Sequence, residues 1–128
     1  MAKKILLVED DLTLQETLSQ VLKGEGFELY QGFDGEEGFN LAVEKKPDLI
    51  LLDLILPKMN GFDVLKKLKA SEETKSIPVI VLTNLESAED IQKALYGGAT
   101  TYLLKASYEL EDVLAKVKKT LEGGETMM

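Results

Sequence analysis

Five short apolar runs, separated by segments with helical spacing, constrain the fold of this chain more than any other feature of its sequence. The runs lie at residues 5–8, 28–31, 49–52, 77–82 and 101–104. Three of them are continuous and are bounded by polar or turn residues, which is typical of strands buried on both faces of a parallel sheet. The run at residues 28–31 is weaker, but its spacing from its neighbours predicts a strand as well.

The segments between these runs carry apolar residues every three or four positions, which is the spacing of one face of an α-helix. Four such stripes are formed by Leu14, Leu18, Val21 and Leu22; by Phe62, Leu65 and Leu68; by Ile91, Ala94 and Leu95; and by Leu110, Val113, Leu114, Val117 and Leu121. Residues 34–46 predict a further helix. Strands that alternate with helices indicate an α/β fold. We expect a three-layer, flavodoxin-like (βα)5 sandwich with a five-stranded parallel sheet of order 2-1-3-4-5.

Length and composition narrow the possible functions. The 128 residues suffice for one domain, which we place at residues 1–122 with a flexible tail at 123–128. The first apolar run is too short for a signal peptide or a membrane span, so we expect a cytoplasmic protein. The formal net charge of -8 disfavours nucleic acid and anionic membranes as partners. Because the sequence contains no Cys, His or Arg, carboxylates, hydroxyls and Lys remain for chemistry, and these oxygen ligands suit Mg²⁺, Mn²⁺ or Ca²⁺.

Polar residues follow four of the five apolar runs. They are Glu9, Asp10 and Asp11 after the first run, Asp53 after the third, Thr83 after the fourth and Lys105 after the fifth. Ligands of open α/β sheets bind at the carboxyl ends of the strands, where the strand order reverses. A lone Asp there is usually a turn or cap residue, and Asp11 is predicted to cap the first helix. Two acidic groups on adjacent strands, however, repel each other by about 1–4 kcal/mol per close pair. A divalent cation removes this repulsion, so the combination predicts a metal site.

Four motifs in this order are similar to those of one protein family. They are Ile5-Leu6-Leu7-Val8-Glu9-Asp10-Asp11; Asp48 through Asp53 followed by Leu54-Ile55-Leu56-Pro57-Lys58-Met59-Asn60-Gly61; Pro78-Val79-Ile80-Val81-Leu82-Thr83; and Gly98-Ala99-Thr100-Thr101-Tyr102-Leu103-Leu104-Lys105. The chain resembles the receiver domain of two-component response regulators over about residues 3–121. Each motif is moderately specific, and all four in order are highly specific.

The resemblance implies a magnesium site and a phosphoacceptor. Asp53 resembles the aspartate that accepts the phosphoryl group and also binds the metal. Asp10 resembles a direct Mg²⁺ ligand, and Glu9 resembles an acid that acts mainly through water. The backbone carbonyl of Ile55 would be a further ligand, and Mn²⁺ is a possible substitute for Mg²⁺.

The resemblance also implies the groups that contact the phosphoryl group and respond to it. Thr83 resembles the hydroxyl that moves to the phosphoryl group, and the backbone N–H of Asn84 would contact it. Lys105 resembles the ammonium that pairs first with the aspartate and then with a phosphoryl oxygen. Tyr102 resembles the aromatic switch residue, so Thr83 and Tyr102 would form the switch.

The implied function is that of a signalling switch, not of an enzyme with a separate substrate. The donor would be a sensor histidine kinase or a histidine phosphotransfer protein, and phosphorylation would alter the face formed by helix four, strand five and helix five. Because no DNA-binding or enzymatic domain follows residue 121, we expect an unknown output protein, no nucleic acid or membrane, and a monomer or weak phosphorylation-dependent dimer. Ile55 and Leu85 cannot hydrogen-bond to a hydrolytic water, which predicts slow self-dephosphorylation.

The sequence departs from the family pattern at two positions, and rival functions meet specific objections. Asn84 replaces a small Ala that is common after the strand-four Thr, and only its backbone N–H would be needed. Ala106 stands where Pro usually follows the lysine, and a cis bond before Ala costs roughly 2.5–4 kcal/mol, so cis and trans both stay open. A flavin-binding protein of the same fold needs a hydroxyl- and Gly-rich loop where Glu9 and the two aspartates stand. A phosphatase of the haloacid type needs a second Asp at position 55. A degenerate receiver used only for docking would have lost Asp53, Lys105 or the acidic pair.

Overall fold

Strands and helices alternate without exception in the computed structural model, which describes residues 2–83, 88–105 and 109–123. The strands are β1 (Lys4–Val8), β2 (Glu28–Gly32), β3 (Leu49–Asp53), β4 (Val79–Thr83) and β5 (Thr101–Leu104). The helices are α1 (Leu12–Gly24), α2 (Gly35–Lys45), α3 (Gly61–Ala70), α4 (Ala88–Tyr96) and α5 (Leu110–Leu121). The strands form one sheet of order β2-β1-β3-β4-β5, in which each neighbouring pair is parallel. The predicted fold class and strand order are confirmed.

The register of the strands brings their carboxyl ends to one edge of the sheet. Val8 at the end of β1 is paired with Leu52 of β3, and Asp53 of β3 is paired with Leu82 of β4. Thr83, the last residue of β4, is paired with Leu104 of β5. Residues at the carboxyl ends of β1, β3, β4 and β5 therefore emerge side by side, as predicted.

Alternate residues of the strands build two separate cores, because successive side chains of a strand point to opposite faces of the sheet. Leu6, Val8, Ile50 and Leu52 belong to the core beneath α2, α3 and α4. The other core, beneath α1 and α5, receives the intervening strand residues Ile5, Leu7, Leu49 and Leu51. Every residue of β3 and β4 is buried, which explains why these two strands read as continuous apolar runs. Burial of each leucine contributes about 1.5–3 kcal/mol, and together they hold the sheet edge rigid.

Three element boundaries can be compared with the residues predicted for them. Asp11 caps α1 as predicted, since its Oδ1 accepts the backbone N–H of Leu14 at 3.1 Å. The predicted helix at residues 34–46 is one residue shorter at each end, because Asp34 is its N-cap and Lys46 adopts the left-handed conformation with φ 47°. The prediction that a strand begins at residue 77 was wrong by two residues. Pro78 has no N–H to donate, and the N–H of Ile77 bonds instead to the Thr74 carbonyl of the preceding turn.

The predicted end of the domain lies close to the limit of the described residues. The domain limit at residue 122 and the flexible tail stay predictions, since residues 124–128 lie outside the described residues. None of the helices in the described segments combines the length and the apolarity that a membrane span requires.

Candidate functional site

Three carboxylates meet at the edge of the sheet where β1 and β3 end. Each of Glu9, Asp10 and Asp53 offers an oxygen that lies within 4.8 Å of the oxygens of the other two. The structure buries Glu9 and Asp53 and leaves Asp10 exposed. The ends of β1 and β3 thus hold two acids away from solvent and a third exposed beside them, an arrangement that suits a hard cation with oxygen ligands.

The ammonium group of Lys105 bridges two of these acids. Its Nζ lies 2.7 Å from Oε1 of Glu9 and donates to Oδ2 of Asp53 at 3.0 Å. Burial by itself would lower the pKa of Lys105, but the hydrogen bonds and charges of Glu9 and Asp53 outweigh it and raise that pKa. The backbone N–H of Lys105 also donates to the carbonyl of Thr83 at 2.8 Å, which fixes the start of the loop after β5. The side chain is therefore a fixed cation that faces the site.

Glu9 carries an incompletely satisfied carboxylate. Its burial raises its pKa, the contacts with Lys105 and the N–H of Asp11 lower it in part, and the charge of Asp53 raises it again. The Asp11 N–H donates to Oε2 at 3.0 Å. The other oxygen, Oε1, is buried and lies 2.7 Å from Nζ of Lys105, which leaves one of its two lone pairs without a donor among the described residues. A buried carboxylate oxygen with spare acceptor capacity fits a nearby cation or a water bound to one.

The loop after β3 presents Asp53 and the backbone beside it. Oδ1 of Asp53 accepts the N–H of Ile55 at 3.3 Å, and Ile55 is 60% exposed. At the far end of the loop, the N–H of Gly61 donates to the carbonyl of Leu54 at 2.8 Å. Asn60 then caps α3 by accepting the N–H of Asp63 at 3.0 Å. The loop is thus closed on itself around the backbone of Ile55.

The remaining predicted residues lie on β4 and β5 or outside the described segments. Thr83 is buried at the end of β4, beside the site. Tyr102 is half-buried on β5, pairs with Val81 and packs against the core that contains Val81. Asn84, Leu85 and Ala106 fall outside the described residues, and so does the bond between Lys105 and Ala106.

One residue that supports the site was not singled out from the sequence. The side-chain amide of Gln15 is buried in α1 and donates to the backbone carbonyls of Glu9 at 3.0 Å and Gly32 at 3.1 Å. It thereby fixes the end of β1, from which Glu9 and Asp10 project. The sequence did contain a signal for this role. Gln15 lies on the same buried helical stripe as Leu18 and Leu22, where a polar side chain needs hydrogen-bond partners.

Comparison with known proteins gives consistent results. The family model described as response regulator receiver domain matches residues 5–118. The DNA-binding dual master transcriptional regulator RpaA of Synechocystis sp. is 40% identical over 118 residues, which are 92% of this chain and 48% of that protein. The chain spans about half the length of the curated relatives it matches.

Solved structures resemble the chain over nearly its whole length. A receiver domain protein (CheY-like) from Methanospirillum hungatei JF-1 superposes with a TM-score of 0.90 at 29% identity and covers 97% of both chains. The receiver domain of sensor histidine kinase PA1611 from Pseudomonas aeruginosa PAO1 has a TM-score of 0.87 at 25% identity, with 95% of this chain and 99% of that chain covered. The latter structure has a magnesium ion coordinated in its active site cleft.

Proposed function

Because the chain belongs to the response regulator receiver domain family, we propose that it is a phosphorylation switch whose Asp53 accepts a phosphoryl group from a sensor histidine kinase or a histidine phosphotransfer protein. One observation carries the proposal. A buried carboxylate at the end of a rigid strand lies in contact with a fixed ammonium and beside two further acids. Receiver domains are signalling switches, and the transfer itself would be catalysed by the receiver's own residues.

The acids favour a magnesium ion at this site. Asp10 and Asp53 would bind it directly, Glu9 through water, and the Ile55 carbonyl would add a neutral oxygen, while Mn²⁺ could replace Mg²⁺. The donor set contains oxygen only, which is what Mg²⁺ prefers, and the spare acceptor capacity of Glu9 Oε1 agrees with it. The bound magnesium of the Pseudomonas receiver domain supports the assignment. When bound, the cation would supply positive charge to the oxygens of the transferred group.

The protein's own side chains account for the rest of the transfer. A carboxylate oxygen of Asp53 forms a P–O bond while the P–N bond of the donor phosphohistidine breaks, and the imidazole keeps the electron pair and takes up a proton. Lys105, already 3.0 Å from Asp53, would pass to a phosphoryl oxygen and offset its charge. Thr83 would donate its hydroxyl, and the backbone N–H of Asn84 would donate beside it.

The readout is proposed to be a change in the face formed by α4, β5 and α5. Movement of Thr83 towards the phosphoryl group would vacate space that the half-buried Tyr102 ring can fill. We propose that this face contacts an output protein, that the receiver acts as a monomer or a weak phosphorylation-dependent dimer, and that it works in the cytoplasm. Curated relatives of about twice this length are DNA-binding regulators. The alternative output is therefore DNA binding, which a DNA-binding assay tests.

The intact mass of the protein tests the proposal. With Mg²⁺ and acetyl phosphate, we expect one added phosphoryl group that hydroxylamine removes, as an acyl phosphate requires. Asp53→Asn should abolish this increase, and Asp48→Asn, which changes an exposed aspartate at the opposite end of β3, should retain it. Labelling that persists in Asp53→Asn, or that forms equally with chelator present, would contradict the proposal.

A further inference from the structure

Gly35, the first residue of α2, lies directly against the loop that follows β3. Its N–H donates to the carbonyl of Pro57 at 3.3 Å. A Cβ atom at this position would overlap the carbonyl group of Met59, with the carbonyl carbon at 2.7 Å and the Met59 Cβ at 2.8 Å. Because the obstructing atoms are mainly backbone, a side chain at residue 35 could be accommodated only if the loop or the helix moved.

The loop has little freedom to absorb such a movement. Met59 donates its N–H to the carbonyl of Pro57 at 2.7 Å, and Lys58 between them adopts the left-handed conformation with φ 67°. At the other end, a Cβ on Gly61 would overlap the backbone of Asp53 and Leu54. The segment that contains Ile55 is therefore held at both ends by contacts between backbones, one made by Gly35 and the other by Gly61.

We propose that Gly35 is a positioning residue for the metal site. Its bare backbone allows the loop after β3 to lie against α2, and this contact fixes where the Ile55 carbonyl and the Asp53 carboxylate point. Gly35 touches neither group and acts through Pro57 and Met59. The inference rests on the proposed function, since Ile55 and Asp53 are metal ligands only within it.

The test is the affinity for Mg²⁺ of the full chain carrying Gly35→Ala. Titration followed by NMR, with the amide signals near Asp53 and Asp10 as reporters, should give binding roughly 10–100-fold weaker than in the parent, the range seen when supports of metal ligands are removed. The amide signals of Ile55 and Asn60 should shift before any metal is added. An affinity equal to that of the parent would overturn the inference.

Two controls separate positioning from general damage. Gly24→Ala places a methyl group where nothing lies within 4 Å and should leave the affinity unchanged without lowering the melting temperature, since Ala favours the helix more than Gly does. Val117→Ala removes buried volume on the opposite face of the sheet and should lower the melting temperature without weakening Mg²⁺ binding. If Val117→Ala weakens binding as much as Gly35→Ala, the effect is one of stability and the inference fails. A parent protein that binds no Mg²⁺ would instead overturn the proposed function itself.

A second pair of variants covers the case in which Gly35→Ala does not fold. Asp34 caps α2 by accepting the N–H of Glu37 at 2.8 Å, and its carboxylate lies 3.7 Å from Nζ of Lys58. Asp34→Asn and Asp34→Ala both remove the charge, but only Asn keeps a capping oxygen. Loss of the cap in Asp34→Ala should fray the first turn of α2, which contacts the loop after β3. We therefore expect weaker Mg²⁺ binding than in Asp34→Asn. Equal affinities of the two variants would overturn the inference.

Discussion

Lys105 Nζ lies 3.0 Å from Oδ2 of Asp53, although the two residues are 52 positions apart in the sequence. The contact joins the ends of β5 and β3 across β4, and it places an ammonium group beside the carboxylate that would attack phosphorus. The same ammonium contacts Glu9 at 2.7 Å. One cation therefore balances two buried acids in the metal-free protein.

Lys105→Met should destabilise the protein and make its stability depend on divalent cations. Without the ammonium, Glu9 and Asp53 face each other with no fixed counter-charge, which should cost roughly 3 kcal/mol, the low end for loss of one partner of a buried pair. Mg²⁺ should then restore much of the loss. Chemical denaturation with chelator and with saturating Mg²⁺ measures both effects. If Mg²⁺ raises the free energy of unfolding equally in the parent and in the variant, the Lys105 ammonium does not neutralise the acids that the cation would neutralise.

The stability of the metal-free protein should fall as pH rises above the ordinary glutamate pKa of 4.5. Burial raises the pKa of Glu9, so the folded state holds this proton more tightly than the unfolded state does, and the associated stability is lost as pH passes through the raised value. Among the described residues, the charged groups that face Glu9 are Lys105, Asp53 and Asp10. In Glu9→Gln, denaturation between pH 4 and 8 should show a smaller decline. Glu16→Gln, at an exposed glutamate of α1, should follow the parent curve.

Phosphorylation should change the α4-β5-α5 face at a distance from Asp53. With a beryllofluoride mimic, we expect amide shift changes over about residues 86–111, because Thr83 and Tyr102 link the site to β5. Thr83→Ala should reduce the changes around Tyr102 while those near Asp53 persist. Shifts confined to the loops around Asp10 and Asp53 would show that the site and this face are not coupled.

Ile55→Asn should shorten the lifetime of the phosphorylated form. The side chain of Ile55 is largely exposed beside Asp53, and an amide at this position could orient the hydrolytic water that Ile55 excludes. We expect decay on the order of tenfold faster in excess Mg²⁺, which corresponds to about 1.4 kcal/mol in activation free energy. Adding Leu85→Glu should accelerate it further, and Ile55→Val should decay like the parent. If the double variant is no faster, these side chains do not control access of water.

The layers, the strand order and the residues at the sheet edge could be predicted from sequence patterns. Apolar runs such as residues 49–52 carry a local periodic signal, and right-handed crossovers leave few ways to arrange five parallel strands. Four of the candidate residues could be found because each directly follows such a run: Glu9, Asp53, Thr83 and Lys105. Asp53 and Lys105 needed only the strand order to be placed together.

The contacts that support those residues depend on tertiary packing. The bridge from Lys105 to both Glu9 and Asp53, the buried amide of Gln15 and the contact of Gly35 with Met59 all join segments that are distant in the chain. The Gly35 contact is made by backbone atoms, so no periodicity of side chains announces it. Sequence patterns report which face of an element is buried, whereas the distance between two backbones depends on how whole elements pack, and here that packing sets the geometry around Asp53.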